Sequence, residues 1–162
     1  MFTFRASEIK ASTLASHSAI VITHTHPDHL DIDTLKRILA VRQLEVHGNA
    51  EVARDLAEVA RALAEVGILC KAHGEGEFSL LGFNLQAIEA AHEPILAATL
   101  PLMYAYLIEG RVLHVVDSFD EKLLTFASPE LLLAPGDGTL SNGKAGRSFY
   151  RGDQAQSRLA TA

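Results

Sequence analysis

Val21-Ile22-Thr23-His24-Thr25-His26-Pro27-Asp28-His29-Leu30 places three histidines and an aspartate within six positions, directly after an apolar, β-branched run. Ala19-Ile20-Val21-Ile22 predicts a short buried strand, because the run is too brief and too β-branched to favour a helix. Pro27 forbids a regular strand through the cluster and biases the residue before it away from helix. The imidazoles are therefore expected on a loop at the carboxyl end of a buried strand, where open α/β sheets place their ligands. Neutral imidazole nitrogens and carboxylate oxygens are what zinc and similar divalent ions take as ligands. One loop histidine is ordinarily a solvated side chain; His24-x-His26-x-Asp28-His29 at a strand exit is a far more specific pattern.

Thr23-His24-Thr25-His26-Pro27-Asp28-His29-Leu30-Asp31 resembles the signature loop of the metallo-β-lactamase-fold hydrolases. Its surroundings are most similar to the branch of small metal-dependent hydrolases that includes ascorbate-phosphate lactonases. A His-x-His pair after a strand also occurs in amidohydrolase-like and polymerase-histidinol-phosphatase-like barrels, but those do not call for the Asp28-His29 pair. The resemblance runs from residue 1 to about 135. It implies an α/β fold, a partial αββα sandwich with mixed sheets flanked by helices. The hairpin that carries an Asp-Pro turn in that family, ahead of the loop, has no counterpart in residues 1–18, and the family's C-terminal part is not matched either.

Length and composition agree with such a domain. The 162 residues are 48% apolar and 21% charged, ordinary values for a globular protein with a real core. The net charge of -6 excludes an overall nucleic-acid-binding stripe, although metal ions would add local positive charge for an anionic substrate. The single cysteine, Cys70, rules out an internal disulfide and fits a reducing compartment. Its neighbours suggest a buried strand thiol, with Lys71 turned to the opposite face. No run of eighteen apolar residues and no signal-peptide pattern occur, so a cytoplasmic location without membrane contact is expected.

After the loop, Asp31 or Asp33 can cap a helix carrying Ile32, Leu35, Ile38 and Leu39. Leu44-Glu45-Val46 predicts a strand ended by Gly48, and Asn49 a cap for a helix over Ala50 to Val66 with Arg54–Glu58 and Arg61–Glu65 pairs outside. Ile68 to Ala72 is a strand and His73 to Glu77 a polar connection. Phe78 to Leu80 and Phe83 to Ala90 form a hairpin around Leu81-Gly82, with Phe83, Leu85 and Ala87 on one face. Tyr104 to Ile108 and Arg111 to Val116 pair across Glu109-Gly110, Glu121 to Ala127 is a short helix, and Leu131 to Ala134 a last strand. Residues 1–135 are read as the incomplete domain. Residues 136–162, with five glycines and no apolar run, are read as a disordered tail.

Three strand exits then carry chemistry: His24 to His29, His92, and Asp117. A sheet with its loops on one edge would gather them into a two-metal hydrolytic site, where metals roughly 3.5–4 Å apart share a hydroxide. The resemblance implies that His24, His26 and His92 bind the first ion, that Asp28 and His29 bind the second, and that Asp117 bridges both. Asp28 could instead steer the hydroxide, which makes it the candidate catalytic residue. Zinc suits this donor set best, with manganese or iron as alternatives. His114 is either a neighbour of the site or simply buried, and His17, His47 and His73 have the ordinary polar or turn contexts of non-functional histidines.

Two positions depart from the family. Val116 stands where glycine usually precedes the bridging aspartate, and no histidine follows residue 114, although the second ion's last ligand should come near the C-terminus. The expectation is thus a metal-dependent hydrolase acting on an ester, lactone, amide or phosphoester of a small-molecule substrate. The alternative is a catalytically impaired metal-binding remnant, truncated at both ends, whose open sheet edges a homo-oligomer would cover.

Overall fold

A computed structural model describes residues 18–63, 68–94, 99–126 and 129–134. The chain divides into two compact units, Met1–His73 and Gly74–Ala162. The N-terminal hairpin position and the tail fall outside the described residues.

The first unit holds a parallel sheet in the order β1 (Ala19–Ile22), β2 (Glu45–Gly48) and β3 (Cys70–Ala72), with helices α1 (Ile32–Val41) and α2 (Ala50–Leu63) as the crossovers. Asp31 is the cap of α1: its carboxylate accepts the Asp33 and Thr34 N–H groups that the first turn leaves open. Asn49 caps α2, its Oδ1 accepting the Val52 N–H at 2.9 Å. Val52 and Leu56, one turn apart, pack with Ile22, Leu35 and Val46 into the buried core of this unit. Gly48 has a steric reason: a Cβ there would lie 2.8 Å from Val52 Cγ1, so only glycine lets α2 sit this close to β2. Arg54 pairs with Glu51 and Asp55 rather than with the expected Glu58, because the i,i+3 and adjacent carboxylates are nearer. The other expected partner, Glu65, lies outside the described residues.

The second unit is a five-stranded mixed sheet in chain order: β4 (Gly76–Leu80), β5 (Phe83–Glu89), β6 (Tyr104–Ile108), β7 (Val112–His114) and β8 (Leu131–Leu133). β4 begins inside the stretch expected to be a polar connection, since Gly76 and Glu77 pair with Ala87 and Gln86 of the partner strand. Leu81 and Gly82, with φ of 54° and 85°, supply the two left-handed residues of a primed hairpin turn. On the face that Phe83, Leu85 and Ala87 share, Leu85 and Ala87 are buried, while Phe83 beside the turn is 56% exposed. Ile88, on the opposite face, is buried too, so β5 is covered on both sides at its far end.

Two antiparallel steps make β5 and β7 run the same way, and β8 is parallel to β7. The exits of these three strands therefore share one edge of the sheet. The short helix expected from Glu121 is a 3₁₀ helix over Glu121–Thr125, capped by Asp120. The core of this unit gathers Ile88, Met103, Ala105, Leu113, Val115, Phe119 and Leu123. Among the described residues, no helix is long and apolar enough to cross a membrane.

Candidate metal centre

The exit of β1 is built by ordinary backbone chemistry. Thr23 and His24 continue the strand into the interior, where His24 is 0% exposed. Pro27 and Asp28 then form the crest of a turn whose ends are tied by the His29 and Leu30 N–H groups donating to His26 O at 2.9 and 2.8 Å. Asn49 locks the base of the loop from the side by donating to Thr23 O at 3.2 Å. The turn folds the three imidazoles over one another. His24 Nε2 lies 3.2 Å from His26 Nδ1, and the His24 and His29 ring centroids are 4.1 Å apart.

His24 with His26, and His24 with His29, offer ligand atoms within 4.8 Å of one another. Imidazole lone pairs gathered this closely are able to share one electrophile. Thr23 Oγ1 sits 3.1 Å from His24 Nδ1. Donation from Nδ1 to that hydroxyl oxygen leaves Nε2 as the ligating nitrogen, which is how an outer partner sets the tautomer of a metal-binding histidine. Asp28, two-thirds exposed at the crest, approaches His29 Nε2 at 3.7 Å. In this unit the structure brings His24, His26, Asp28 and His29 into one loop cluster.

In the second unit, His92 leaves β5 and Asp117 leaves β7, and both are buried. Their loops are stitched together: the Glu93 N–H donates to Asp117 O at 2.8 Å, and Ser118 Oγ donates to Ala91 O at 2.7 Å. His92 Nδ1 donates to Glu93 O at 2.7 Å, which turns Nε2 toward Asp117 Oδ2, 3.7 Å away. A carbonyl on one nitrogen and a carboxylate near the other is again the environment of a ligating imidazole. A cleft of about 360 Å³ opens beside His92, walled by Leu100, Pro101 and Met103 with Asp120 and Lys122 at its side.

Val116 immediately precedes Asp117 with φ of 55°, a left-handed conformation that costs a β-branched residue dearly. Such outliers persist only where the surroundings dictate the backbone. At the position where the sequence departs from the family, valine thus stands strained in a left-handed conformation that glycine adopts without cost. His114 is half-buried, its Nδ1 near Leu133 O and the Val116 N–H at 3.4 Å each. It flanks the turn rather than joining His92 and Asp117.

The residues fit a divalent ion by the chemistry of their donors: buried imidazoles with their outer nitrogens hydrogen-bonded, and carboxylates beside them. A family model, the beta-lactamase superfamily domain, matches residues 2–140. The chain belongs to that superfamily. A solved structure, the metallo-β-lactamase fold protein YhfI from Bacillus subtilis, is similar at 22% identity and a TM-score of 0.55. The match covers 83% of this chain and 56% of YhfI, so the chain spans little more than half of that protein's length. No curated protein matches. The α/β architecture, with two sheets and two α-helices among the described residues, is accordingly a metallo-β-lactamase fold.

One pair of histidines escaped the sequence reading. His47, assigned an ordinary polar context, is buried and in contact with His73 Nε2 at 2.7 Å. The two lie 26 positions apart, and only the register of β2 with β3 brings them together. Alternation in β2 put His47 on the same face as Glu45, which was the one signal available. Cys70 behaves as read: burial pushes its thiol up to about 11, so it stays protonated and unreactive at neutral pH. Lys71 faces the other way and pairs with Glu45.

Proposed function

We propose that this protein is a metal-dependent hydrolase of small ester, lactone, amide or phosphoester substrates. The observation that carries the proposal is the β1 exit loop, with its buried His24 packed against His26 and His29. In this reading His24, His26 and His92 hold a first ion, Asp28 and His29 a second, and Asp117 bridges them. A bound divalent ion supplies Lewis acidity and an activated water at neutral pH. The chain's own contribution is to orient and to move protons. Thr23 and Glu93 O fix the tautomers of His24 and His92, and Asp28, exposed at the crest of the turn, accepts the proton released during attack. The apolar wall beside His92 excludes water from one side of the substrate.

Zinc is the ion this donor set favours, with manganese or iron able to replace it. Similarity in the loop and its surroundings supports placing the protein near the ascorbate-phosphate-lactonase-like branch. The lone, protonated Cys70 suits a reducing, cytoplasmic setting, and the edge strand β8, with Leu131 and Leu133 exposed, suits association of two copies.

Metal content after purification and brief chelation, together with hydrolysis of a carboxylic ester, a lactone and a phosphodiester in added Zn²⁺ or Mn²⁺, tests the proposal. Two ions per chain and turnover that falls by at least about a hundredfold in His26→Ala support it, in keeping with the loss of a metal ligand. Metal retention without any turnover favours the alternative, a binding domain that has lost catalysis. A chain that retains no metal overturns both.

A further inference from the structure

β5 pairs with β6 as far as Glu89, opposite Tyr104, and the Ala90 N–H adds a last rung by donating to Met103 O at 3.1 Å. Ala91 lies outside the paired registers on both sides of β5. The alternation of the strand nevertheless runs on past its end: Ile88, Ala90 and His92 are buried, while Glu89 and Ala91 are exposed. A period of two holds only while Ala91 stays extended. A slip of one residue would turn His92 to the other face, so the backbone at Ala91 decides where that imidazole points.

Two side chains stand in for a strand there. Ser118 Oγ donates to Ala91 O at 2.7 Å, and Asp120 Oδ2 accepts the Ala91 N–H at 3.2 Å. The two are themselves linked, since the Asp120 N–H donates to Ser118 Oγ at 3.1 Å. One hydroxyl hydrogen suffices for this, because Ser118 gives it to Ala91 and receives from Asp120 on a lone pair. Beyond His92, the Glu93 N–H donates to Asp117 O at 2.8 Å, so the chain is held on both sides of the histidine by one short segment. Capping the 3₁₀ helix asks only one oxygen of Asp120: its Oδ1 accepts the Lys122 N–H at 3.0 Å. The other oxygen reaches across to a different strand exit, which a cap does not require.

We infer that Ser118 and Asp120 are positioning residues for His92: their paired hydrogen bonds to Ala91 extend β5 by one residue and hold the imidazole on the buried face. In that pose Nδ1 meets Glu93 O at 2.7 Å and Nε2 is turned to Asp117 Oδ2, 3.7 Å away. Neither residue touches His92 itself through these bonds; both act through the backbone of its neighbour. The consequence for metal affinity rests on the reading of His92 as a ligand, whereas the pose of the ring does not.

Nitrogen-15 NMR of the metal-free full chain labelled at histidine tests the pose, with His92→Gln to assign the ring. The unaltered chain should show a His92 Nδ1–H signal that exchanges slowly with water. Asp120→Asn keeps a cap for the 3₁₀ helix but leaves one oxygen for two amides, and Ser118→Ala removes the bond to Ala91 O without changing charge. Each should hasten exchange of the Nδ1–H by about tenfold or more. Thr125→Ala, which loosens the same 3₁₀ helix by removing the bond to Lys122 O at 2.6 Å, should leave that signal unchanged. An unmoved signal in Asp120→Asn, or an equal loss in Thr125→Ala, would reduce Asp120 to a helix cap and overturn the inference. Should the buried Ser118→Ala fail to fold, Asp120→Asn decides alone. Zinc affinity of the same variants gives the second readout: a fall of about tenfold or more is expected in Asp120→Asn and Ser118→Ala, as for loss of an outer partner of a ligand, and none in Thr125→Ala. Unchanged affinity in both would overturn the inference. If the unaltered chain takes up no zinc, the hydrolase reading fails, and proton exchange at His92 still decides this one.

Discussion

At the end of β1 the backbone reaches His24 and His26 through relaxed geometry, whereas at the end of β7 it reaches Asp117 through a valine held at φ of 55°. The first exit is kept in shape by hydrogen bonds: two amides onto His26 O, the Asn49 amide onto Thr23 O, and the Asp31 cap that starts α1. The second is kept in shape by its neighbours. Val115 donates its N–H to Leu133 O, Ser118 donates to Val115 O, and Val116 itself is buried in the apolar core of the second unit. One exit is stable because its local interactions agree with its conformation. The other is imposed on a residue that disfavours it, with the penalty met by packing around it. Each makes a distinct forecast for substitution.

The largest effect is expected at Asn49, which serves both the loop and α2 while 0% exposed. Replacing it with alanine removes the Val52 cap and strips Thr23 O of a donor in a dry place. A cap is worth about 1 kcal/mol and an orphaned buried acceptor about 1–3 kcal/mol, so Asn49→Ala should cost roughly 2–4 kcal/mol in urea denaturation. Asn49→Ser keeps a neutral acceptor for the Val52 N–H and gives up the amide donor to Thr23 O, so it should fall between. If alanine cost no more than serine, the claim that this side chain ties the β1 exit together would fail.

The β7 exit predicts an inverted order. At Val115, 0% exposed and without a positive φ, glycine should be worse than alanine, as it ordinarily is. At Val116 the order should reverse. Glycine there loses slightly more buried surface than alanine but releases about 1–3 kcal/mol of backbone strain, which decides the sign. Equilibrium unfolding of the four variants settles it: Val116→Gly should be more stable than Val116→Ala, and Val115→Gly less stable than Val115→Ala. The same order at both positions would mean that the left-handed turn is not strained.

These contrasts also explain what could be read in the chain beforehand. The β1 exit was legible because its chemistry is contiguous: a β-branched run, a proline, and histidines at short spacing. The caps Asp31 and Asn49 and the hairpin at Leu81-Gly82 were legible for the same reason. The division into a three-stranded parallel sheet and a five-stranded mixed sheet was not, since strand partners are chosen by register and packing far along the chain. The His47–His73 contact depends on that register, so nothing local announced it. Val116 gave half its message: the residue type flagged a departure, and only the backbone angle showed the strain that goes with it. The short helix after Asp120 was legible, but its 3₁₀ form was not, because five residues carry too little periodicity to separate it from an α-helix.

The smallest effect sharpens the comparison at the rim of the β1 exit. Asp31 takes the Asp33 and Thr34 N–H groups at 3.1 and 3.3 Å on one oxygen and the Thr34 hydroxyl at 2.9 Å on the other. The Thr34 hydroxyl first, and its N–H after it, hold the carboxyl below its ordinary value. The lowered folded-state pKa makes the ionised form the stabilising one. The contribution is therefore fully present above the unfolded value of about 3.9 and is lost as pH falls through the lower folded value. Thermal unfolding between pH 2 and 7 should show Asp31→Asn, still a capable cap, losing part of the acid sensitivity of the unaltered chain. Asp31→Ala should be less stable than Asp31→Asn at neutral pH, because it removes the cap as well as the charge. An exposed side chain limits the size of both differences, but not their order. If Asp31→Asn kept the full acid sensitivity, the carboxylate would be doing nothing for α1 that an amide cannot, and the hydrogen-bonded account of this exit would rest on Asn49 and the His26 turn alone.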